Sequence, residues 1–275
     1  MKHTILLILF IIPSLFFSQT AIEYNKKGIK AAKAGKIDKA LKYFNKALEI
    51  NPEFPGAYTN KGHVYRIKKE YQKAIENYSK SLKLDYDTTV LYARANTYFD
   101  MGKYEEAIKD YTKIIEQNPE FENIFFDRAF AYVKLKKWEK AKKDFETQLK
   151  YTPNDFKSLA NLINVKKHLK LYDEAIKDFD ELIKKHPNEY KLYNNRAILY
   201  IKLKDYKKAL TDINKAIKLK KDYHLAYLNR SEIYYRMGNE KKACQDYKKA
   251  LKLGVREYEF FQETDILPEI KKLCD

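Results

Sequence analysis

Residues 88–121 read TTVLYARANTYFDMGKYEEAIKDYTKIIEQNPEF, and the same spacing of residue kinds returns along nearly the whole chain. Its marker is Ala107. The series Ala40, Ala74, Ala107, Ala141, Ala175, Ala209 and Ala243 advances by 33 or 34 residues at every step. Four residues beyond each Ala stand Phe44, Tyr78, Tyr111, Phe145, Phe179, Ile213 and Tyr247. Eight beyond stand Leu48, Leu82, Ile115, Leu149, Ile183, Ile217 and Leu251. A spacing of i, i+4, i+8 puts all three on one face of a helix. A period of this length decides the fold before any local propensity does.

A second helix lies upstream of each marker. Sixteen residues before it come Tyr24, Tyr58, Leu91, Phe125, Leu159, Tyr193 and Tyr227. Nine before it come Tyr65, Tyr98, Tyr132, Tyr200 and Tyr234, with Ala31 and Lys166 as exceptions. Between them the small residues Gly28, Gly62, Ala95, Ala129, Ala197 and Ser231 allow two helices to approach closely, and Ile163 departs from the series. Gly35, Gly102 and Gly238 mark the turn between the helices, in the left-handed conformation that closes a helix; Lys holds that place elsewhere. Pro52, Pro119, Pro153 and Pro187 punctuate the link to the next unit, so one unit is a helix hairpin.

This pattern resembles the tetratricopeptide repeat, a 34-residue helix–turn–helix. The resemblance implies an all-α fold: a right-handed α-solenoid of seven helix-turn-helix repeats at 21–54, 55–87, 88–121, 122–155, 156–189, 190–223 and 224–257. A C-terminal capping segment, 258–275, follows. A single hairpin cannot bury its apolar stripe, so neighbours stack and a terminal element covers the last open face.

In the family, side chains at fixed places on the first helices line a concave groove that holds a peptide or protein partner. Carried over, those places give Tyr92, Asn96, Phe99, Phe126, Phe130 and Val133 in one cluster, and Ile198, Ile201, Leu225, Leu228 and Tyr235 in another. The competing reading buries these residues against the neighbouring unit. A carboxylate clamp for peptide C-termini begins with Asn164 and Asn195 but meets Leu225 and Asn229 where cations belong, so the clamp is broken.

Arg94, Arg128, Arg196 and Arg230 share one place on the first helix, and Asp110, Asp144, Asp178, Asp212 and Asp246 share one on the second. Their correlation implies an ion pair within each hairpin, broken in the fifth unit by Leu162, and acting as a register pin more than as an anion site.

The start, Met1-Lys2-His3 with an apolar run to Phe17, reads as a signal peptide over residues 1–20, too short for a membrane span. Cleavage after Ser18 or after Thr20 is open, and an uncleaved anchor is the alternative. The chain is thus expected to be secreted or periplasmic, where Cys244 and Cys274 would form a disulfide tying the tail to the last unit; two free thiols are the alternative.

The net charge of +17 comes almost wholly from Lys, with only seven Arg, a weaker sign of nucleic-acid recognition than an Arg-rich patch. The five His show no metal-ligand spacing, and neither a phosphate loop nor a nucleophile elbow is present. The expectation is a non-enzymatic scaffold without cofactors, binding a protein or peptide partner, with no specific nucleic acid among its partners. Alternatives are a basic adaptor for acidic polymers (anionic glycan or nucleic acid) and a structural subunit that stacks with its own copies.

Overall fold

The computed structural model describes residues 19–254 and 267–274. Of the stretch expected to be a signal peptide (residues 1–20), residues 1–18 lie outside the described residues, as do Phe260, Phe261 and Ile266 of the tail. All regular structure among the described residues is helical. It runs α1 (19–33), α2 (Ile37–Ile50), α3 (Pro55–Ile67), α4 (Tyr71–Leu84), α5 (Thr88–Asp100), α6 (Tyr104–Gln117), α7 (Ile124–Lys134), α8 (Trp138–Tyr151) and α9 (Phe156–His168). It continues with α10 (Tyr172–Lys185), α11 (Tyr190–Lys202), α12 (Tyr206–Leu219), α13 (His224–Arg236), α14 (Glu240–Lys252) and α15 (Leu267–Cys274).

The chain divides into two compact units, 1–158 and 159–275. In the first, α3 packs on α4, α5 on α6 and α7 on α8, while α2, α4 and α6 each also pack on the first helix of the following hairpin. In the second, α11 pairs with α12 and α13 with α14, and α10 and α12 bridge to the next hairpin in the same way. This is an all-α repeat solenoid. Every marker alanine from Ala40 to Ala243 is fully buried, and the aromatic or Ile four residues on is buried beside it.

The hairpin turns share one geometry. Gly35, Gly102 and Gly238 have φ of 71°, 77° and 76°, and Lys69, Lys136, Lys170 and Lys204 take the same left-handed conformation at 56–61°. In each case the next amide reaches back five residues, as Glu70 N does to Tyr65 O (2.9 Å) and Lys103 N to Tyr98 O (2.9 Å). That closure satisfies carbonyls that the helix end leaves orphaned. Its hydrogen bonds hold Lys in a conformation where Gly is cheaper.

Close approach explains the small-residue series. A Cβ at Gly62 would sit 2.5 Å from the ring of Tyr78, whose hydroxyl shares a 2.9 Å hydrogen bond with His63 Nδ1. Ala95 occupies the equivalent place opposite Tyr111, and both are buried, so a methyl group fits after a small shift. Gly62→Ala is therefore expected to change stability by less than about 1 kcal/mol, with helix propensity offsetting the crowding. Gly62→Leu should cost about 3 kcal/mol, because a pinned ring cannot clear a branched side chain. Urea unfolding of the two variants checks the contrast, and equal midpoints would contradict it.

The Arg and Asp series meet as bidentate pairs. Arg128 reaches Asp144 through Nε (2.7 Å) and Nη2 (2.8 Å), and Arg94–Asp110, Arg196–Asp212 and Arg230–Asp246 repeat the arrangement. The remaining Nη1 of each Arg bonds to the preceding hairpin: Ser79 (3.0 Å), Thr112 (3.1 Å), Asp180 (2.5 Å) and Asn214 (2.8 Å). The pins therefore join successive hairpins as well as the two helices of one. The fifth unit is not broken as the sequence implied. Lys166, one helical turn beyond Leu162 and itself buried, puts Nζ 2.6 Å from Asp178.

Beyond α14, helix α15 packs on α14 and α13, as α13 packs on α12 and α11. Ile270 and Cys274 are buried there with Leu228, Tyr247 and Ala250, and Cys244 Sγ is bonded to Cys274 Sγ.

Candidate functional site

The first cluster of groove residues lies on α5 and α7, neighbouring first helices of the first unit. The reason is periodic: places 5, 9 and 12 of a unit fall on one helix face. Tyr92, Asn96, Phe99, Phe126, Phe130 and Val133 are all half-buried. They are neither core nor free surface. Phe99 stacks on Phe130 with ring centroids 5.7 Å apart, Phe130 stacks on Phe126 at 6.1 Å, and Phe126 meets the buried Phe145 edge-on at 5.6 Å. Lys134 holds its ammonium 5.2 Å from the centre of the Phe130 ring.

Polar side chains are spaced along this row. The Tyr92 hydroxyl donates to Asp127 Oδ2 (2.6 Å), and Tyr111 from the second helix donates to Asn96 Oδ1 (2.6 Å). At one edge Arg66 clasps Asp100 Oδ2 through Nε (3.0 Å) and Nη2 (2.8 Å). Burial pushes the Asp127 carboxyl above its ordinary range; the Tyr92 hydrogen bond pulls it back, and the Glu122 charge adds to burial. The Tyr111 hydroxyl is raised by burial first and then by the field of Asp127.

The second cluster does not form a groove. Ile201 is buried with Ala197, Ala209, Ile213 and Ile233, because the following hairpin closes over it. Leu228 is fully buried, since α15 covers the last hairpin and seals it with Ile270. Leu225 and Tyr235 are half-buried against the same cluster, with Tyr235 Oη 3.3 Å from Glu269 Oε2. Ile198 alone keeps the half-buried setting without joining that cover. Of the clamp residues, Asn164 and Asn195 are exposed, whereas Asn229 is buried and donates to Asn194 Oδ1 (2.9 Å).

Asp127 escaped the sequence reading, although a signal exists. Its counterparts in the other units are Lys26, Asn60, Ala93, Asn161, Asn195 and Asn229, so it is the one acidic residue in that column. Among the described residues no three His, Cys, Asp or Glu gather as metal ligands, and no helix is long and apolar enough to cross a membrane.

The fold defines a helical-hairpin repeat protein. Profiles of the tetratricopeptide repeat match residues 21–54, 55–85, 89–121, 162–189, 190–223 and 224–253. The chain belongs to the tetratricopeptide repeat family. A tetratricopeptide repeat protein from Parabacteroides merdae is similar over 93% of this chain and 99% of its own, at 25% identity and a TM-score of 0.57. YrrB, described as a TPR protein with an unusual peptide-binding site, is 26% identical, with a TM-score of 0.55 over 66% of this chain and 95% of its own. RNA polymerase II-associated protein 3 of Rattus norvegicus is 33% identical over 104 residues, 38% of this chain but only 16% of that protein. The likeness to that longer protein is thus confined to a run of repeats.

Proposed function

We propose that this chain is a non-catalytic scaffold that holds an extended segment of a protein partner against α5 and α7, and that it works outside the cytoplasm. The observation that carries the reading is the half-buried aromatic row Phe99–Phe130–Phe126. Contiguous apolar surface of this kind marks interaction sites, and aromatic anchors dominate their energetics. The peptide-binding site named for YrrB supports the same use of the repeat. The apolar N-terminal run and the Cys244–Cys274 bond support export, since disulfides persist in oxidising compartments.

The test is affinity capture from the envelope fraction with the wild-type chain and with Phe126→Ala/Phe130→Ala, followed by titration of the captured partner. Losing two anchors of about 2 kcal/mol each should weaken binding by up to about 1,000-fold. Circular dichroism must show unchanged helicity. An unchanged affinity in a folded double variant would rule this groove out.

A further inference from the structure

Asp127 stands apart from the ladder it belongs to. Where first helices of neighbouring hairpins touch, the equivalent contacts are neutral: Asn60 donates to Asn25 Oδ1 (2.9 Å), and Asn229 donates to Asn194 Oδ1 (2.9 Å). An amide thus suffices to join the helices. At Asp127 a carboxylate does it, with one donor, the Tyr92 hydroxyl, and no cation within ion-pair distance among the described residues. Elsewhere the buried Asp110, Asp144, Asp212 and Asp246 each have an Arg, and the half-buried Asp178 has Lys166. The second oxygen, Asp127 Oδ1, has no partner, yet the one fully enclosed side-chain atom lacking a partner among the described residues is Ser231 Oγ. Oδ1 therefore keeps some contact with solvent beside the row of aromatic rings.

We propose that Asp127 is the specificity-determining residue of the groove, receiving a Lys or Arg side chain from an extended partner segment whose neighbouring apolar side chains lie on Phe126, Phe130 and Phe99. The proposal rests on the groove reading above and deepens it. Charge complementarity commits the occupant. A carboxylate in partly desolvated surroundings gains most from an ammonium or guanidinium, because the interaction is weakly screened there.

The net charge of +17 does not oppose this. Screening confines surface charges to about 8 Å at physiological salt, so the charges that matter are those beside the row: Asp127, with Glu122 adding its field, and the Lys134 ammonium over Phe130, while Asp100 is already tied to Arg66. Long-range repulsion slows the arrival of a basic segment more than it weakens its seat.

The experiment uses the full chain and three fluorescein-labelled hexapeptides: alternating Leu side chains with a central Lys, Gln or Glu. Fluorescence anisotropy should show the Lys peptide binding about tenfold tighter than the Gln peptide and tighter still than the Glu peptide. Asp127→Asn should abolish the preference, lowering Lys-peptide affinity to that of the Gln peptide and leaving the Gln peptide unmoved. The fold will bear this change, since Asn60 and Asn229 occupy the same place. Lack of binding by the Lys peptide, equal affinities in the wild type, or a Lys preference that survives in Asp127→Asn would overturn the proposal. The Phe126→Ala/Phe130→Ala chain separates the two readings. If it loses all three peptides while the wild type shows no Lys preference, the groove stands and the role of Asp127 falls. If it binds as the wild type does, the groove itself falls.

Discussion

Replacing Arg128 with Met is expected to destabilise the first unit by about 3–5 kcal/mol, far more than the loss of an exposed ion pair, which costs about 1 kcal/mol or less. The difference lies in what is left behind. The Asp144 side chain is 5% exposed, and both its oxygens are held by Arg128. Burial opposes the charge on Arg128, yet the Asp144 hydrogen bonds and field outweigh it and raise its pKa. Met fills most of the volume but offers no donor, so Asp144 is stranded, and Thr112 on the preceding hairpin loses its contact with Nη1. Exchanging both partners, Arg128→Met with Asp144→Leu, should restore most of the loss, because a well-packed apolar pair often matches a buried ion pair. Trp138, the single Trp, opens the same helix as Asp144, so its fluorescence during urea unfolding reports on this unit. A double variant no more stable than the single would contradict this account. Binding at the groove should survive in every folded variant, since Arg128 points to α8 and not to the aromatic row.

Why the sequence revealed these pairs in four units and not in the fifth is a matter of helix geometry. Arg and Asp recur at fixed intervals from the marker alanine, so their meeting is readable without coordinates. In the fifth unit Leu162 fills the Arg place and Lys166 fills a place held by Tyr in five other units. Read column by column these are two losses. On a helix, residues four apart share a face, and the cation has moved one turn along it to the same Asp178. The Nη1 bonds between hairpins were unreadable for another reason: their acceptors, Ser79, Thr112, Asp180 and Asn214, share geometry and not chemistry.

The candidate site was legible in part, as an aromatic row. Phe99, Phe126 and Phe130 do come together on α5 and α7, because a single pair of neighbouring helices decides their setting. Ile201 and Leu228 failed because their exposure depends on what lies beyond their own hairpin. For Leu228 that is the capping helix, which the repeat calls for at the last open face without saying which side chains it covers. Asp127 was missed for the opposite reason. A scan for what recurs passes over a residue whose meaning is that it does not.

Cys274→Ser should release α15 and cost the last hairpin about 3–4 kcal/mol. The bridge spans 30 residues, and closing a loop of that size restrains the unfolded chain by about this amount. Helix α15 has eight residues, fewer than the 12 or so an isolated helix needs to persist in water. Its burial of Ile270 is worth about 1.5–3 kcal/mol, and without the bond that gain must meet the entropy of ordering eight residues, at about 1–2 kcal/mol each for the backbone alone. The bond decides the balance. Once α15 leaves, Leu228 and Tyr247 meet water, so hydrogen exchange should quicken in α15, α13 and α14, while α3 to α8 keep wild-type protection, because stability in a repeat protein passes chiefly between neighbours. Reducing the wild-type chain should reproduce the same pattern. Protection of α15 that persists in Cys274→Ser would mean that packing alone holds the helix, and that the cysteines report the compartment without building the cap.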